Sequence, residues 1–467
     1  MRRALAAAVV IAMLPAGGCT DDKPKTPAAV SFSPGADGIG DPYFPTYGNG
    51  GYDVGGYDLK LRYDPKSGRL EGSATVTATA TQDLSRFNLD FASLEASAVT
   101  VDGAAAQHSA DKAELVVTPA RGVARGQAFT VVVNYGGVPE ALRNELLGVG
   151  GWLRTQDGGF ALGQPESAST WYPVNDHPAD KATFKLAMTV PDGLAALSNG
   201  VPGKQVSRDG QTTWTWTEDA PMASYLSFVV IGKYRVESAV HKGRPIITAI
   251  PDSLPEGGPA DRSIDATGEI TDYLETVFGP YPFESNGGIV VDDVRVGYAL
   301  ETQTRPVYGG TFFTGGVNTG VVAHEIAHQW FGDSVALERW QDIWLNEGFA
   351  TYAEWLWAEH QRRSTVQAIF DGRYANFDWS EPPGSPGPAK LFGDAVYQRG
   401  AMTVHALRRT IGDPAFFALL KSWPAEHRDG NATTEVFIAA AERAGGGKDL
   451  GELFEAWLFG KEKPPLP

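Results

Sequence analysis

Two histidines lie at the spacing of a metal site in the segment His-Glu-Ile-Ala-His, residues 324–328. Residues four positions apart on a helix project from the same face, so His324 and His328 can bind one metal ion. Glu325 lies beside this pair, where its carboxylate can take a proton from water. A catalytic zinc ion keeps one position open and takes three protein ligands, so one more ligand is required elsewhere in the chain.

Glu347 is the best candidate for that third ligand. Gly-Asp at residues 332–333 is typical of a helix end, and a second helical pattern begins near Arg339. Two helices joined by a turn can bring Glu347 back to the histidines. The alternative is a chance pentapeptide on a solvated helix, but the chain has only 8 histidines and the glutamate is correctly spaced. The sequence therefore predicts one Zn²⁺ per chain, bound by His324, His328 and Glu347.

Length, composition and charge indicate an acidic globular protein. The chain has 467 residues, of which 42% are hydrophobic and 20% charged, and this length suits two or three domains with large cores. The formal net charge is −17, so the surface repels phosphate backbones and nucleic acid binding is not expected. The same field favours cationic substrates, such as peptides with a free amino terminus.

The first 18 residues have the pattern of a signal peptide. Arg2 and Arg3 precede an apolar stretch at 4–14, which is too short to span a bilayer. Pro-Ala-Gly-Gly-Cys follows at 15–19 and resembles a bacterial lipobox, in which the cysteine is modified by lipid. No other stretch of the sequence is long and apolar enough for a transmembrane helix.

Cys19 is the only cysteine of the chain, which excludes a disulfide within one molecule and favours a dedicated role for the thiol. We therefore predict a lipid-modified Cys19 after a signal peptide at 1–18, and a flexible tether at 19–55. The protein would then be an extracytoplasmic lipoprotein of a bacterial cell envelope, bound to the membrane through this anchor only. The alternative is an ordinary signal peptide with an incidental cysteine, and a secreted soluble protein.

After the predicted tether, the predicted secondary structure changes once along the sequence, from strands to helices. Residues 56–243 are dominated by β patterns, with polar and apolar residues alternating at 74–80 and 213–217, which predicts a β-sandwich or saddle. Helical patterns dominate residues 244–467, around a buried strand at 289–291. The predicted fold class is therefore multidomain, with a β domain followed by a mostly helical α+β domain.

The two segments around the predicted metal ligands resemble the aminopeptidase N family of zinc metallopeptidases. They read His-Glu-Ile-Ala-His-Gln-Trp-Phe-Gly-Asp at 324–333 and Trp-Leu-Asn-Glu-Gly-Phe-Ala at 344–350. The resemblance extends over nearly the whole mature chain and implies an N-terminal β-saddle at 56–243 and a thermolysin-like zinc metallopeptidase domain at 244–467. It implies zinc-dependent hydrolysis of the first peptide bond of peptides with a free N-terminal amine. It does not extend to the helical C-terminal domain of longer members, so a more open active site is expected.

The resemblance also implies a residue that binds the substrate amine. Gly-Tyr-Ala-Leu-Glu at 297–301 resembles the family's Gly-x-Met-Glu-Asn strand, whose glutamate holds the free α-amino group of the substrate. Leu300 replaces the family's methionine and Thr302 replaces its asparagine, whereas the glutamate is retained as Glu301. Packing of the strand is therefore expected to differ, while binding of the amine is expected to be kept.

Two more residues follow from the same resemblance. Gln164 falls where the family places a Gln or Glu beside the first residue of the substrate. Val-Tyr-Gln-Arg-Gly-Ala at 396–401 resembles the segment that holds the family's catalytic tyrosine, so Tyr397 is expected to stabilise the oxyanion while Glu325 acts as the base.

Two other classes of function remain open. A zinc endopeptidase would share every metal ligand but would not need Glu301. A non-catalytic, surface-binding lipoprotein would keep the fold and lose the chemistry, which the intact Glu325 argues against.

The lipid anchor can be tested directly through Cys19. Wild-type protein should incorporate labelled palmitate and fractionate with membranes, because two or more acyl chains give stable anchoring. Cys19→Ser should be released or remain unprocessed. Absence of label from the wild-type protein would contradict the lipobox assignment.

Overall fold

The computed structural model of the chain describes residues 31–144 and 148–467. Cys19, the predicted signal peptide at 1–18 and the start of the predicted tether lie outside these ranges, so their assignments stay predictions. Within the described ranges, none of the helices combines the length and the apolar character that crossing a bilayer requires.

Strands dominate the first part of the described chain, and their alternate side chains are buried because successive residues of a strand point to opposite faces. Two 3₁₀ turns, Ala168–Thr170 and Ser224–Leu226, interrupt them. The strands are β1 (Ser33–Pro34), β2 (Tyr52–Asp64), β3 (Arg69–Ala80), β4 (Leu84–Asp90), β5 (Glu95–Val101), β6 (Ala104–Ala105), β7 (Gln107–Asp111), β8 (Glu114–Thr118), β9 (Ala128–Gly137), β10 (Ala141–Asn144), β11 (Gly148–Arg154), β12 (Gly159–Leu162), β13 (Lys181–Pro191), β14 (Ala195–Ser198), β15 (Val201–Pro202), β16 (Val206–Arg208), β17 (Gln211–Ala223) and β18 (Val229–Gly232).

These strands form three sheets. The widest has the order β15-β17-β13-β2-β3-β9-β5-β6, with β16 also paired to β17. Its β2 and β13 are parallel, and its other pairs are antiparallel. The second sheet has the order β1-β4-β8-β7 and the third β10-β11-β12-β18-β14. The prediction of a β domain in the first half of the chain is confirmed.

The second part of the chain is mostly helical, as predicted. Its elements are β19 (Tyr234–His241), β20 (Arg244–Pro251), α1 (Pro259–Ile264), α2 (Thr267–Phe278), β21 (Asn286–Val291), β22 (Ala299–Leu300), β23 (Val307–Gly309), α3 (Thr319–Ala327), β24 (Ala336–Leu337), α4 (Trp344–His360), α5 (Val366–Asn376), α6 (Gly400–Ile411), α7 (Asp413–Glu426), β25 (Asn431–Ala432), α8 (Thr434–Ala444) and α9 (Gly451–Phe454). Strands β24 and β25 pair with each other.

One mixed sheet supports the helices of this second part, with the order β19-β20-β21-β23-β22. The predicted buried strand at 289–291 lies in β21, whose six residues are all buried. Strands β19 and β20 form an antiparallel hairpin, and the predicted domain boundary at 243/244 falls in its turn. The hairpin keeps both strands in one sheet, so the sheet of the second part begins at Tyr234.

The predicted end of the tether at residue 55 is wrong, because residues 33–55 pack against the rest of the chain. Strand β1 pairs with β4, and Asp41 is 3% exposed. Its Oδ2 accepts a hydrogen bond from the backbone N–H of Trp340 at 2.8 Å and lies 3.1 Å from His177 Nε2, while its Oδ1 accepts from the N–H of Tyr43 at 2.7 Å. The segment is rich in Gly and Pro, but its polar side chains have buried partners that composition does not identify.

Asp41 should stabilise the fold substantially, because its removal leaves several buried donors without an acceptor. Asp41→Ala is expected to lower the free energy of unfolding by roughly 2–4 kcal/mol, measured by denaturant titration. The control is Asp58→Ala, since the Asp58 side chain is 44% exposed and pairs with Lys60 on the surface. Equal, small effects from both substitutions would show that the 33–55 segment does not stabilise the fold through this residue.

Candidate metal centre and active site

The predicted metal ligands meet where the end of α3 faces the first turn of α4. His324 lies on α3, His328 follows its last residue, and Glu347 lies on α4. Glu347 Oε2 is 3.2 Å from His324 Nε2 and 3.4 Å from His328 Nε2. Each of these side chains is at most 9% exposed. The structure therefore brings together the three residues that the sequence proposed from their spacing.

The other nitrogen of each histidine fixes the direction of its ring. His324 Nδ1 lies 2.6 Å from Glu354 Oε1, and His328 Nδ1 lies 3.0 Å from the carbonyl oxygen of Phe331. A carboxylate and a carbonyl accept hydrogen bonds, so each Nδ1 can donate its proton there and, with a metal bound, would leave the Nε2 lone pair for the ion. The two Nε2 atoms and the Glu347 carboxylate thus converge on one point, where a metal ion could be held.

The donor set and its spacing fit zinc. A tetrahedral zinc ion with bonds of roughly 2.0–2.1 Å separates its ligand atoms by roughly 3.3 Å, close to the observed separations. Without metal, the group compensates its charge with protons. Burial would lower the pKa of His328, but the carboxylates of Glu347 and Glu301 raise it to about 9. Burial would raise the pKa of Glu347, but His328 and His324 lower it to about 2. Three protein ligands leave one position open, as in catalytic zinc sites.

Two further carboxylates lie beside the metal ligands. Side-chain oxygens of Glu301 and Glu325 lie within 4.8 Å of each other and of a nitrogen of His328. Burial, with the negative charges of Glu301 and Glu347, raises the pKa of Glu325 to about 8, although the two histidines act in the opposite direction. Burial likewise raises the pKa of Glu301. Glu325 is a buried carboxylate beside the predicted metal ligands, a position suited to carrying a proton.

Glu301 directly follows β22 and receives hydrogen bonds from the first half of the chain. Its Oε1 accepts from the hydroxyl of Tyr225 at 2.9 Å and from Gln164 Nε2 at 3.4 Å. Its backbone carbonyl accepts from Gln329 Nε2 at 2.9 Å, and Gln329 Oε1 accepts from the N–H of Thr304 at 2.7 Å. Glu301, the residue predicted to bind an amine, is thus held by its carboxylate from the first half of the chain and by its backbone from the second.

Tyr397 faces the same site from a π-helical turn, Ala395–Arg399, that precedes α6. Its ring centroid lies 5.9 Å from that of His324. Burial, then the charges of Glu347, Glu301 and Glu325, raise the pKa of Tyr397 well above its ordinary value, so the phenol stays protonated and can donate a hydrogen bond.

Arg399 and a pair of glycines position the turn that carries Tyr397. The guanidinium of Arg399 donates to the carbonyl oxygens of five residues, Trp379, Glu381, Ala456, Trp457 and Gly460. A Cβ on Gly348, the neighbour of Glu347, would lie 2.9 Å from the carbonyl carbon of Gly400. Helix α4 therefore packs closely against the start of α6, directly after the turn that carries Tyr397.

The predicted metal ligands, Glu301, Glu325 and Tyr397 all face one cavity of about 370 Å³. All predicted site residues except Cys19, which lies outside the described residues, line it: Gln164, Glu301, His324, Glu325, His328, Glu347 and Tyr397. Tyr298, Phe312 and Val321 supply apolar wall. The cavity combines a metal centre, a basic carboxylate, a phenol donor and a second carboxylate, as hydrolysis of a substrate with a positively charged end would require.

Three further residues support the site, and sequence reasoning missed two of them, Tyr225 and Gln329. Glu354 lies seven residues after Glu347, and this spacing of two helical turns predicts a shared face. The sequence left open whether Glu354 orients a histidine ligand or forms a solvent-exposed salt bridge, and the structure places it against His324. Tyr225 and Gln329 gave no such signal, because their partner Glu301 is distant in the sequence.

Glu354 should affect metal affinity more than the fold. Glu354→Gln removes the charge that polarises His324, so zinc affinity should fall by roughly 10- to 100-fold, measured by competition with a chromophoric chelator. Glu338→Gln, an exposed glutamate between the two metal-binding helices, is the control. Matching affinities in the two variants would show that the contact does not tune the metal ligand.

Comparison with known proteins places both halves of the chain in one family. The model of the peptidase M1 N-terminal domain matches residues 55–226, and that of the peptidase family M1 domain matches residues 265–457. Probable aminopeptidase 2 of Sulfurisphaera tokodaii is 29% identical over 316 residues, which are 62% of this chain and 40% of that protein. The chain spans less than half the length of the curated relatives it matches.

Solved structures match over a longer range. A crystal structure of an M1 zinc metallopeptidase from Deinococcus radiodurans is 32% identical, with a TM-score of 0.83 over 92% of this chain and 99% of that one. A mutant from the same organism bound to the substrate Tyr-Ser-Ala is 31% identical with a TM-score of 0.85 and the same coverage. Since both halves match in sequence and the described fold matches along nearly its whole length, this chain belongs to peptidase family M1.

Proposed function

We propose that this chain is a zinc-dependent aminopeptidase, which removes the first residue of peptides that carry a free N-terminal amine. The observation that carries the proposal is the buried carboxylate of Glu301 in the same cavity as the His324, His328 and Glu347 group. A metal centre alone suits many hydrolases, whereas a second buried carboxylate at a fixed place selects a cationic group on the substrate. The names of the relatives, aminopeptidases among them, support the same activity.

Glu325 carries the proton in the proposed reaction. Zinc, when bound, supplies a Lewis acid that activates water and polarises the carbonyl of the peptide bond. Glu325 accepts the proton that the attacking water loses, because its carboxylate lies in the cavity and is shielded from bulk solvent. It returns this proton to the leaving nitrogen as the C–N bond breaks. One water is consumed, and a free amino acid and a peptide shortened by one residue are released.

Tyr397 and Glu301 interact with the two charged groups of the reacting substrate, the developing negative oxygen and the ammonium group. The Tyr397 hydroxyl donates a hydrogen bond to the negative oxygen that develops as the carbonyl carbon becomes tetrahedral. The Glu301 carboxylate binds the ammonium group, with Gln164 beside it. Because the carboxylate is fixed relative to the metal ligands, the first peptide bond is the one placed for hydrolysis.

We also propose that the protein acts outside the cytoplasm, anchored to the membrane by lipid on Cys19. The proposal rests on the sequence, where an apolar stretch is followed by a lipobox-like segment with the chain's single cysteine. The proposed anchor does not depend on the proposed activity, since none of the residues that line the cavity belongs to that segment.

The proposed activity is tested with aminoacyl-methylcoumarin substrates, each with its amine free or acetylated. Free-amine substrates should be cleaved with loss of activity on chelation, and acetylated ones should be poor substrates. Glu301→Ala should lower kcat/KM for free-amine substrates by roughly 10²–10³-fold, while Glu338→Ala serves as an exposed control. Glu325→Gln should bind zinc and lose most turnover. Efficient cleavage of acetylated peptides would indicate an endopeptidase, and absence of cleavage would reject a peptidase.

The oxyanion role of Tyr397 predicts a change in kcat. Tyr397→Phe should lower kcat by roughly 10²–10³-fold with little change in KM, because the negative charge exists mainly in the transition state. Tyr352→Phe is the control: Tyr352 is buried on α4, and its hydroxyl contacts Arg408 and His405. Small, equal changes in both variants would assign the oxyanion to another donor.

A further inference from the structure

Tyr225 contributes to the site from the first half of the chain. It lies in the 3₁₀ turn Ser224–Leu226, and its side chain is 1% exposed. Its hydroxyl donates a hydrogen bond of 2.9 Å to Glu301 Oε1. A phenol has an ordinary pKa of about 10, so at neutral pH this hydroxyl is a constant donor.

The bond from Tyr225 restricts the movement of the Glu301 carboxylate. The last torsion of a glutamate side chain is soft, so a carboxylate without partners rotates over a broad range. Here Tyr225 and Gln164 donate to the same oxygen, Oε1, which fixes the plane of the carboxylate and the direction of its other oxygen. Because Glu301 is 2% exposed, water cannot readily replace these donors.

The ring of Tyr225 also contacts the segment that carries a metal ligand. Its centroid lies 5.3 Å from that of Trp340, which precedes α4 and Glu347. The backbone N–H of Trp340 in turn donates a hydrogen bond to Asp41 Oδ2. Tyr225 therefore lies between the glutamate of the amine site and the helix of the metal site, and its size sets part of the distance between them.

The backbone and the side chain of Glu301 are thus fixed from different directions. Gln329, the residue after His328, donates a hydrogen bond from its side chain to the backbone carbonyl of Glu301. This hydrogen bond connects the backbone of Glu301 to the metal-binding segment. The carboxylate itself is oriented from the first half of the chain.

We propose that Tyr225 is a positioning residue for the substrate amine, acting through the carboxylate of Glu301. This inference rests on the proposed aminopeptidase function. An amine contact is made in the ground state and in the transition state alike, so losing its alignment weakens binding more than it slows the chemical step.

The test compares Tyr225→Phe, which keeps the ring against Trp340, with Tyr172→Phe. Tyr172 is a fully buried tyrosine of the same half, whose hydroxyl lies 3.0 Å from Ser227 Oγ. With arginyl-methylcoumarin, Tyr225→Phe should raise KM roughly tenfold and change kcat by less than about threefold. Tyr172→Phe should leave both constants near wild type. Zinc content and the unfolding midpoint report on the fold of each variant.

A binding measurement separates this inference from the proposed function. In a Glu325→Gln background, Tyr225→Phe should weaken the binding of L-arginine, measured by calorimetry, by the same factor of roughly ten. Unchanged KM and unchanged L-arginine affinity would overturn the positioning role, and so would a loss confined to kcat. If the wild-type protein cleaves no aminoacyl substrate, but Tyr225→Phe still weakens L-arginine binding in the Glu325→Gln background, the amine site is supported and the aminopeptidase function is rejected.

Discussion

Charge compensation among buried carboxylates is the constraint on which this structure depends. Glu301, Glu325 and Glu347 are all nearly fully buried around one cavity. Desolvated charges of one sign are costly unless positive groups offset them. A zinc dication, together with the ammonium group of the proposed substrate, would offset much of this negative charge. Under the proposed function, binding of the metal and binding of a free amino terminus would therefore favour each other electrostatically.

The parts of the site that are local in sequence could be predicted from sequence. His324, Glu325 and His328 lie at the end of one helix, and Glu347 follows on the next helix, after β24 and the 3₁₀ turn Trp340–Asp342. Helical periodicity is enough to place such residues on shared faces. The alternation of the long strands similarly predicted a β domain, because a strand with one buried face carries a period of two.

The parts that depend on long-range contacts could not be derived this way. Glu301 and Tyr397 were expected through a family resemblance, since neither helical nor strand periodicity links them to His324. Tyr225 was missed because a hydrogen bond between residues 225 and 301 leaves no pattern in either segment. Asp41 was assigned to a flexible tether for the same reason. Composition shows that the segment is rich in Gly and Pro, but it does not show that the Asp41 carboxylate accepts a hydrogen bond from the buried backbone N–H of Trp340.

The segment that follows Glu301 joins the two halves of the chain through buried hydrogen bonds. Residues 302–305 are all nearly fully buried at the seam between the two halves. Asn199 donates to the carbonyl of Gln303, and the guanidinium of Arg305 donates to the carbonyls of Ser198 and Gly200. A hinge needs residues free to change their backbone angles, and a seam held by these bonds would have to break them to open. Separating the two halves at this point would leave buried donors and acceptors without partners, a cost that opposes hinge motion through residues 302–305.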